Sequence, residues 1–134
     1  MKNFRLYPLA YLITFRCYAA SPVSGEQMPS IHKRDSVKLD KLQRVVIEAA
    51  IRVTCGKFGW NLHAVNVQTV RISAVVIGAC KAGTIVDALK TSAERRLRQT
   101  DCWTSQYSPW SERDSKRNLW TPACVRSAID QLTK

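Results

Sequence analysis

The side chains able to perform acid–base or phosphate chemistry are few in this sequence, and none of them stands in a catalytic motif. There are two histidines, and the sequence lacks a nucleophile elbow, a P-loop, an H-E-x-x-H pair and a Gly-rich dinucleotide loop. A metal-independent ribonuclease needs only a base and a cation, and His63, Glu48 and Arg71 are the candidates for those roles. Because no spacing selects these three residues, we predict a protein that is not an enzyme and that uses no metal or cofactor.

The N-terminus has the pattern of an export signal. Lys2 and Arg5 precede an apolar run over residues 6–15, and small residues follow from Ala19. The run is shorter than the roughly 20 apolar residues that span a bilayer, so no transmembrane segment is expected in the mature chain. We predict a cleaved signal peptide over residues 1–20; a buried N-terminal helix or an organelle-targeting segment is the alternative.

A segment rich in Ser, Pro and Gly follows the predicted signal over residues 21–36. We interpret it as a linker or pro-segment, because it shows no periodicity. It contains the dibasic pair Lys33 and Arg34, which is the candidate processing site. The remaining residues, 37–134, are then a single small basic domain.

Removal of the signal would leave an even set of cysteines. The four lack the close C-x-x-C spacing of zinc or redox sites. An even set in a small exported protein favours two disulfides, in any of three pairings, with buried reduced thiols as the alternative. The candidate disulfide cysteines are Cys55, Cys80, Cys102 and Cys124.

A short basic motif lies late in the chain. Arg95, Arg96, Leu97 and Arg98 read R-x-L-R. Together with the export signal, this tetrad resembles the secreted RxLR effectors of oomycete plant pathogens. The resemblance implies delivery into host cells, where the protein would interfere with defence by binding a host protein. The alternative is that these residues are the basic last turn of a helix, where cations complement the helix dipole.

Three segments have the periodicity of helices. The first spans residues 41–54, with Asp40 as its cap and Gly56 at its end. The second begins after Gly83, with Thr84 in a capping box, and continues to Arg98. A short terminal helix follows Thr121 and Pro122, which suit the N-cap and first helical positions.

The sequence between these helices predicts short antiparallel strands and a loop. Residues 62–79 are rich in β-branched side chains, and a change of phase near Gln68 and Thr69 indicates a bulge or reversal. Residues 101–120 lose all periodicity and predict a long loop with aromatic side chains. The expected fold class is therefore α+β: one small domain with a helix, short antiparallel strands and two further helices, stabilised by two disulfides.

The charge balance indicates anionic partners without naming one. Lys and Arg outnumber Asp and Glu by 21 to 10, which gives a net charge of +11 and favours nucleic acid or another anionic surface. Our leading hypothesis is a secreted virulence effector that enters or contacts host cells and binds a host protein. The alternatives are a basic nucleic-acid-binding protein, and a small secreted toxin or RNase-like protein.

Overall fold

The computed structural model describes residues 7–17, 38–106 and 108–133. Within these ranges four strands alternate with three helices. Their order is β1 (Ala10–Cys17), α1 (Lys41–Phe58), β2 (Asn61–Val67), β3 (Arg71–Ile77), α2 (Ala82–Gln99), β4 (Trp110–Leu119) and α3 (Pro122–Thr133).

The four strands form one antiparallel sheet in the order β2-β3-β1-β4. β1 pairs with β3 and with β4, and β2 pairs with β3 across the turn that joins them. Strand and helix follow one another as β-α-β-β-α-β with a further C-terminal helix, which is the ferredoxin-like arrangement extended by α3. The predicted reversal near Gln68 is confirmed, because β2 ends at Val67 and β3 begins at Arg71.

Helices cover both faces of the sheet. Ile13 and Phe15 of β1 pack with Ile47 of α1 and Leu89 of α2 in the larger core. On the opposite face Ala10, Val75 and Leu119 pack against Ala128 of α3. Alternate residues of β1 and β3 therefore face different helix layers, as the period of two requires.

The caps explain where α1 begins and ends. The side chain of Asp40 accepts a hydrogen bond from the N–H of Gln43, and the Gln43 side chain accepts one from the N–H of Asp40 in return. The helix continues past Gly56 and ends at Gly59, whose φ of 74° is the left-handed conformation that favours glycine. Asp40 was predicted correctly as the cap, whereas Gly56 was wrongly assigned as the end.

Residues 10–15 of the apolar segment predicted as the core of an export signal lie in β1. This strand lies inside the sheet, with neighbours on both edges, and Ile13 and Phe15 are fully buried. A signal h-region and a buried strand share the same short apolar composition, so the sequence alone does not separate them. The predicted division into residues 1–20, 21–36 and 37–134 stays a prediction, and all of 21–36 lies outside the described residues.

The segment predicted as an aromatic loop contains β4. Its sequence WSERDSKRNL carries only two apolar residues, one at each end. β4 lies at the edge of the sheet, where the exposed Lys116 and Arg117 discourage pairing with other chains. Trp110 is nearly buried, packs edge-on against Phe15 at 5.1 Å between ring centroids, and donates its indole N–H to Lys90 O.

The predicted disulfides are absent from the described residues. Cys55, Cys80, Cys102 and Cys124 are all free thiols. They lie on the inner face of α1, in the β3–α2 connection, after α2 and on α3, so the fold distributes them over separate elements. The general fold class, an α+β domain with an antiparallel sheet and three helices, is confirmed. The order of elements differs from the prediction, because two further strands enclose the first two helices.

The two later helices differ in how well their caps were predicted. α2 begins at Ala82 after Lys81, which makes no side-chain cap, so the capping box assigned to Thr84 was wrong. α3 begins at Pro122, and Thr121 Oγ1 accepts a hydrogen bond from the N–H of Cys124 at 3.1 Å, as predicted.

Candidate nucleic-acid interface

α3 covers only one end of its face of the sheet. The apolar residues beneath it, including Leu12, Val75 and Ile77, lie toward the Ala10 end of β1. Toward the other end the residues on this face are polar or basic. We call this region, which lies beyond the cover of the described helices, the open sheet face, and it comprises Thr14, Arg16, Asn66, Arg71, Ser73, Ser115 and Arg117.

A row of hydroxyl and amide groups crosses the sheet at one level. Asn66 of β2 is in register with Ser73 of β3, which is in register with Thr14 of β1 and through it with Ser115 of β4. The Thr14 and Ser73 hydroxyl oxygens are 3.2 Å apart and share a hydrogen bond. Asn66 also donates from Nδ2 to Leu132 O at 2.8 Å, which ties the last turn of α3 to the row.

Two arginines lie directly opposite each other beside this row. Arg16 of β1 is the register partner of Arg71 of β3, and Arg16 is exposed. Gln68 accepts two hydrogen bonds from Arg71, from Nε at 3.2 Å and from Nη2 at 3.0 Å, which orients the guanidinium. Like charges directly opposite each other destabilise a sheet. An anion bound between them would relieve that repulsion.

A cleft of about 350 Å³ lies between the open sheet face and the end of α3. Its described lining combines two leucines and several neutral polar side chains with the Arg71 guanidinium. The lining residues are Leu12, Thr14, Asn66, Gln68, Arg71, Ser73, Gln131 and Leu132. Hydroxyl, amide and guanidinium groups are the donors that proteins use to hold phosphate oxygens.

Two groups whose pKa values are shifted lie on the opposite face of the sheet. Burial alone would raise the pKa of Asp114, but hydrogen bonds from Lys90 and Lys116 outweigh it and hold that pKa below its ordinary value. Burial raises the pKa of Tyr11, whose O–H donates to Cys80 O at 2.7 Å. These groups stabilise the α1–α2 layer and do not face the cleft.

The three ribonuclease candidates are not brought together. Arg71 lines the cleft. The polar side chains around it suit the role predicted for Arg71, which is to stabilise a phosphate. Glu48 lies on α1, across the sheet, and pairs with Arg52 at 2.9 Å. His63 is exposed at the irregularity in β2, where the register shifts between Leu62 and Ala64.

The R-x-L-R tetrad forms the end of α2. Leu97 is fully buried in the core, and Arg98 pairs with Glu94 at 2.9 Å. Arg95 and Arg96 are exposed. This is the arrangement expected of the basic last turn of a helix. The processing candidate, Lys33 and Arg34, lies outside the described residues.

The part of the chain that the structure describes contains neither a metal-binding cluster nor a membrane-spanning helix. There, no three His, Cys, Asp or Glu side chains are grouped so that they could hold a metal ion. None of the described helices has both the length and the apolar character needed to cross a membrane.

Solved structures of transposases share this fold. A REP-associated tyrosine transposase bound to a REP hairpin has a TM-score of 0.63 and 12% identity, over 98% of this chain and 70% of that chain. A putative transposase from Deinococcus radiodurans R1 has a TM-score of 0.64 and 16% identity, over 98% and 94% of the two chains. No protein-family model and no curated protein sequence matches this chain. At such low identities the similarity establishes the fold.

This similarity corrects the functional predictions. The chain has the fold of transposases, so the resemblance to RxLR effectors, the virulence function with its host-protein partner, and the secreted location are wrong. The prediction that the protein is not an enzyme is also overturned, because transposases are enzymes. Of the hypotheses drawn from the sequence, the nucleic-acid-binding alternative agrees best with the fold.

Proposed function

We propose that this protein binds DNA, and that the open sheet face is the DNA-binding surface. The observation that carries the proposal is the pair of like charges, Arg16 and Arg71, that lie opposite each other beside the hydroxyl row. A protein tolerates such a pair at a cost in stability when an anion is to be bound there. The transposase fold makes DNA the anion to test first.

The chemistry of the face suits the DNA backbone. Arginine neutralises phosphates and displaces their counterions, while Ser, Thr and Asn donate hydrogen bonds to phosphate oxygens. Arg117 lies on the same face, in register with Leu12. It extends the positive charge across β4, so that a strand of DNA could lie across the sheet.

The proposed substrate is DNA with a hairpin. One protein of this fold was solved bound to a REP hairpin, and its structure covers nearly all of this chain. A hairpin offers both paired and unpaired nucleotides. An open face bordered by a cleft can accept a backbone segment and, beside it, an unstacked base.

The test is fluorescence anisotropy with a labelled DNA hairpin and the full chain. We expect saturable binding that weakens with salt. The double variant Arg16→Gln, Arg71→Gln should bind at least about tenfold more weakly, and its dependence of log affinity on log salt should be shallower by about 2.

The matched control removes the same charge from another surface. Arg95→Gln, Arg96→Gln alters two exposed residues at the end of α2, in the opposite helix layer. Equal losses of affinity in both double variants would show that overall charge, and not the open sheet face, governs binding. Denaturing gels of the same samples measure cleavage of the DNA strand, which is the activity to test in a chain with the fold of transposases.

A further inference from the structure

The outward side of α1 is apolar, although the helix already buries its opposite side in the core. Leu42, Val45 and Val53 are 61%, 56% and 68% exposed. Ala49 lies between them and is also exposed. With Gly56 these residues form a line that we call the outer stripe: Leu42, Val45, Ala49, Val53 and Gly56.

The spacing of the outer stripe is that of a helix that packs against another helix. Its residues recur at intervals of three and four positions, which holds them in a narrow arc at 3.6 residues per turn. Ile47 and Ile51, which are fully buried, point to the opposite side. An exposed apolar line on a helix that is already anchored indicates a protein contact.

Gly56 is a glycine that the described fold does not require. A Cβ atom built there meets nothing within 4 Å in the described structure. Glycine within a helix is unfavourable relative to alanine, so the position carries a cost without a local reason. Its lack of a side chain leaves room for a large residue from another molecule.

The outer stripe complements itself when it is reversed. If two α1 helices run antiparallel and cross at Ala49, Leu42 of one lies opposite Gly56 of the other, because each is seven residues from Ala49. Val45 and Val53, each four residues from Ala49, then lie opposite each other. The largest side chain meets the residue without one, and two small alanines meet at the crossing.

We propose that α1 forms a two-fold interface with α1 of a second copy of this chain. A two-fold interface brings each residue of the patch against the same patch, which is the match that the outer stripe offers. Glu48 and Arg52, paired within one helix at 2.9 Å, border the stripe. In the dimer each can also approach its opposite charge on the second copy.

The interface is separate from the proposed DNA-binding surface. α1 packs on the sheet face opposite to α3, and the outer stripe points away from the sheet. In the dimer the two open sheet faces would lie on opposite outer sides. Dimer formation and DNA binding can therefore be measured independently, and failure of one does not imply failure of the other.

The test is sedimentation velocity of the full chain over a range of micromolar concentrations. We expect a monomer–dimer equilibrium in the wild type and a monomer for Ala49→Glu, because two carboxylates would meet at the crossing. The matched control is Thr91→Glu, at an exposed position of α2, which should remain dimeric. Circular dichroism confirms that both variants are folded.

A compensating pair tests the antiparallel register directly. Gly56→Leu should weaken the dimer at least about tenfold without lowering the thermal midpoint, since its side chain meets open space in the monomer. Adding Leu42→Ala should restore the dimer, because the large and small residues have then exchanged places. A wild type that stays monomeric would overturn the proposal. This holds also if the chain is monomeric because its own segment 18–37 covers the outer stripe. A dimer that Ala49→Glu and Gly56→Leu leave intact would overturn it as well.

Discussion

Arg16 and Arg71 are residues whose like charges suit the binding of an anion but lower the stability of the folded chain. The two side chains are register partners on adjacent strands, and only Gln68 is seen to accept hydrogen bonds from Arg71 in the described structure. Arg71 was recognisable from the sequence as a candidate cation for phosphate. Arg16 was not, because its place beside Arg71 depends on pairing between distant segments.

Replacing one member of this pair should affect folding and binding in opposite directions. For Arg16→Gln we expect the free energy of unfolding to stay the same or to rise by a few tenths of a kcal/mol, roughly, because a repulsive cross-strand pair is removed. Hairpin affinity should fall about tenfold, because a charge-assisted phosphate contact is lost. Urea titration and anisotropy measure the two quantities. A variant that is less stable and binds normally would show that Arg16 is structural.

The thiols should differ sharply in reactivity. Cys124 is exposed, whereas Cys55 is buried and burial raises its pKa to about 11. We expect iodoacetamide to label Cys124 in the native protein without reductant and to reach Cys55 only after unfolding. Mass spectrometry of digested samples reads both sites. Disulfide-linked peptides in the native protein would contradict the arrangement described here.

The raised pKa of Cys55 also makes stability depend on alkaline pH. The unfolded chain loses the thiol proton near its ordinary pKa of 9.0, before the folded chain does at about 11. The free energy of unfolding should therefore be unaffected below pH 9.0 and should decrease as the pH rises toward 11. Urea titrations at several pH values should show this decrease in the wild type and a smaller one in Cys55→Ala.

Among the helices and strands, some could be predicted from local sequence patterns and others could not. Asp40 and Thr121 are caps that act within one turn, so α1 and α3 were predictable at their starts. β4 was not, because an edge strand needs few apolar residues and its pairing with β1 comes from a distant part of the chain. β1 was missed because its apolar run, flanked by positive charge, matches an export signal equally well.

Trp110, the first residue of β4, and Trp120, which directly follows the strand, should behave differently when truncated. Trp110 is 8% exposed and packs on Phe15, whereas Trp120 is 50% exposed. We expect Trp110→Ala to lower the free energy of unfolding by about 3 to 5 kcal/mol and Trp120→Ala to change it by less than about 0.5 kcal/mol. Urea unfolding monitored by circular dichroism measures both. Similar small effects would mean that β4 is not part of the folded core.

For the whole molecule, the sheet depends on a strand far from its partners in sequence. β1 joins β3 to β4, and the buried residues Ile13 and Phe15 complete the larger core. Fold class was predictable from periodicity, since helical and strand patterns are local. The sheet order was not predictable, because it depends on pairing between strands that are distant in sequence, and no local sequence pattern records that pairing.

A chain that begins at residue 37 tests the contribution of β1. Such a chain lacks the strand between β3 and β4, and we expect it to show no cooperative unfolding transition. We expect the full chain to unfold in one step. Thermal and urea melts followed by circular dichroism compare the two. A stable, cooperative fold for residues 37–134 would contradict the sheet described here and would support the predicted domain boundary.

A ¹⁵N–¹H correlation spectrum of the full chain, titrated with the DNA hairpin, locates the DNA-binding surface residue by residue. The proposal that DNA binds the open sheet face predicts the largest shift changes at Thr14, Arg16, Arg71 and Ser73, and in the last turn of α3, with α1 little affected. Changes concentrated on α1 or α2, with the open sheet face unaltered, would contradict it.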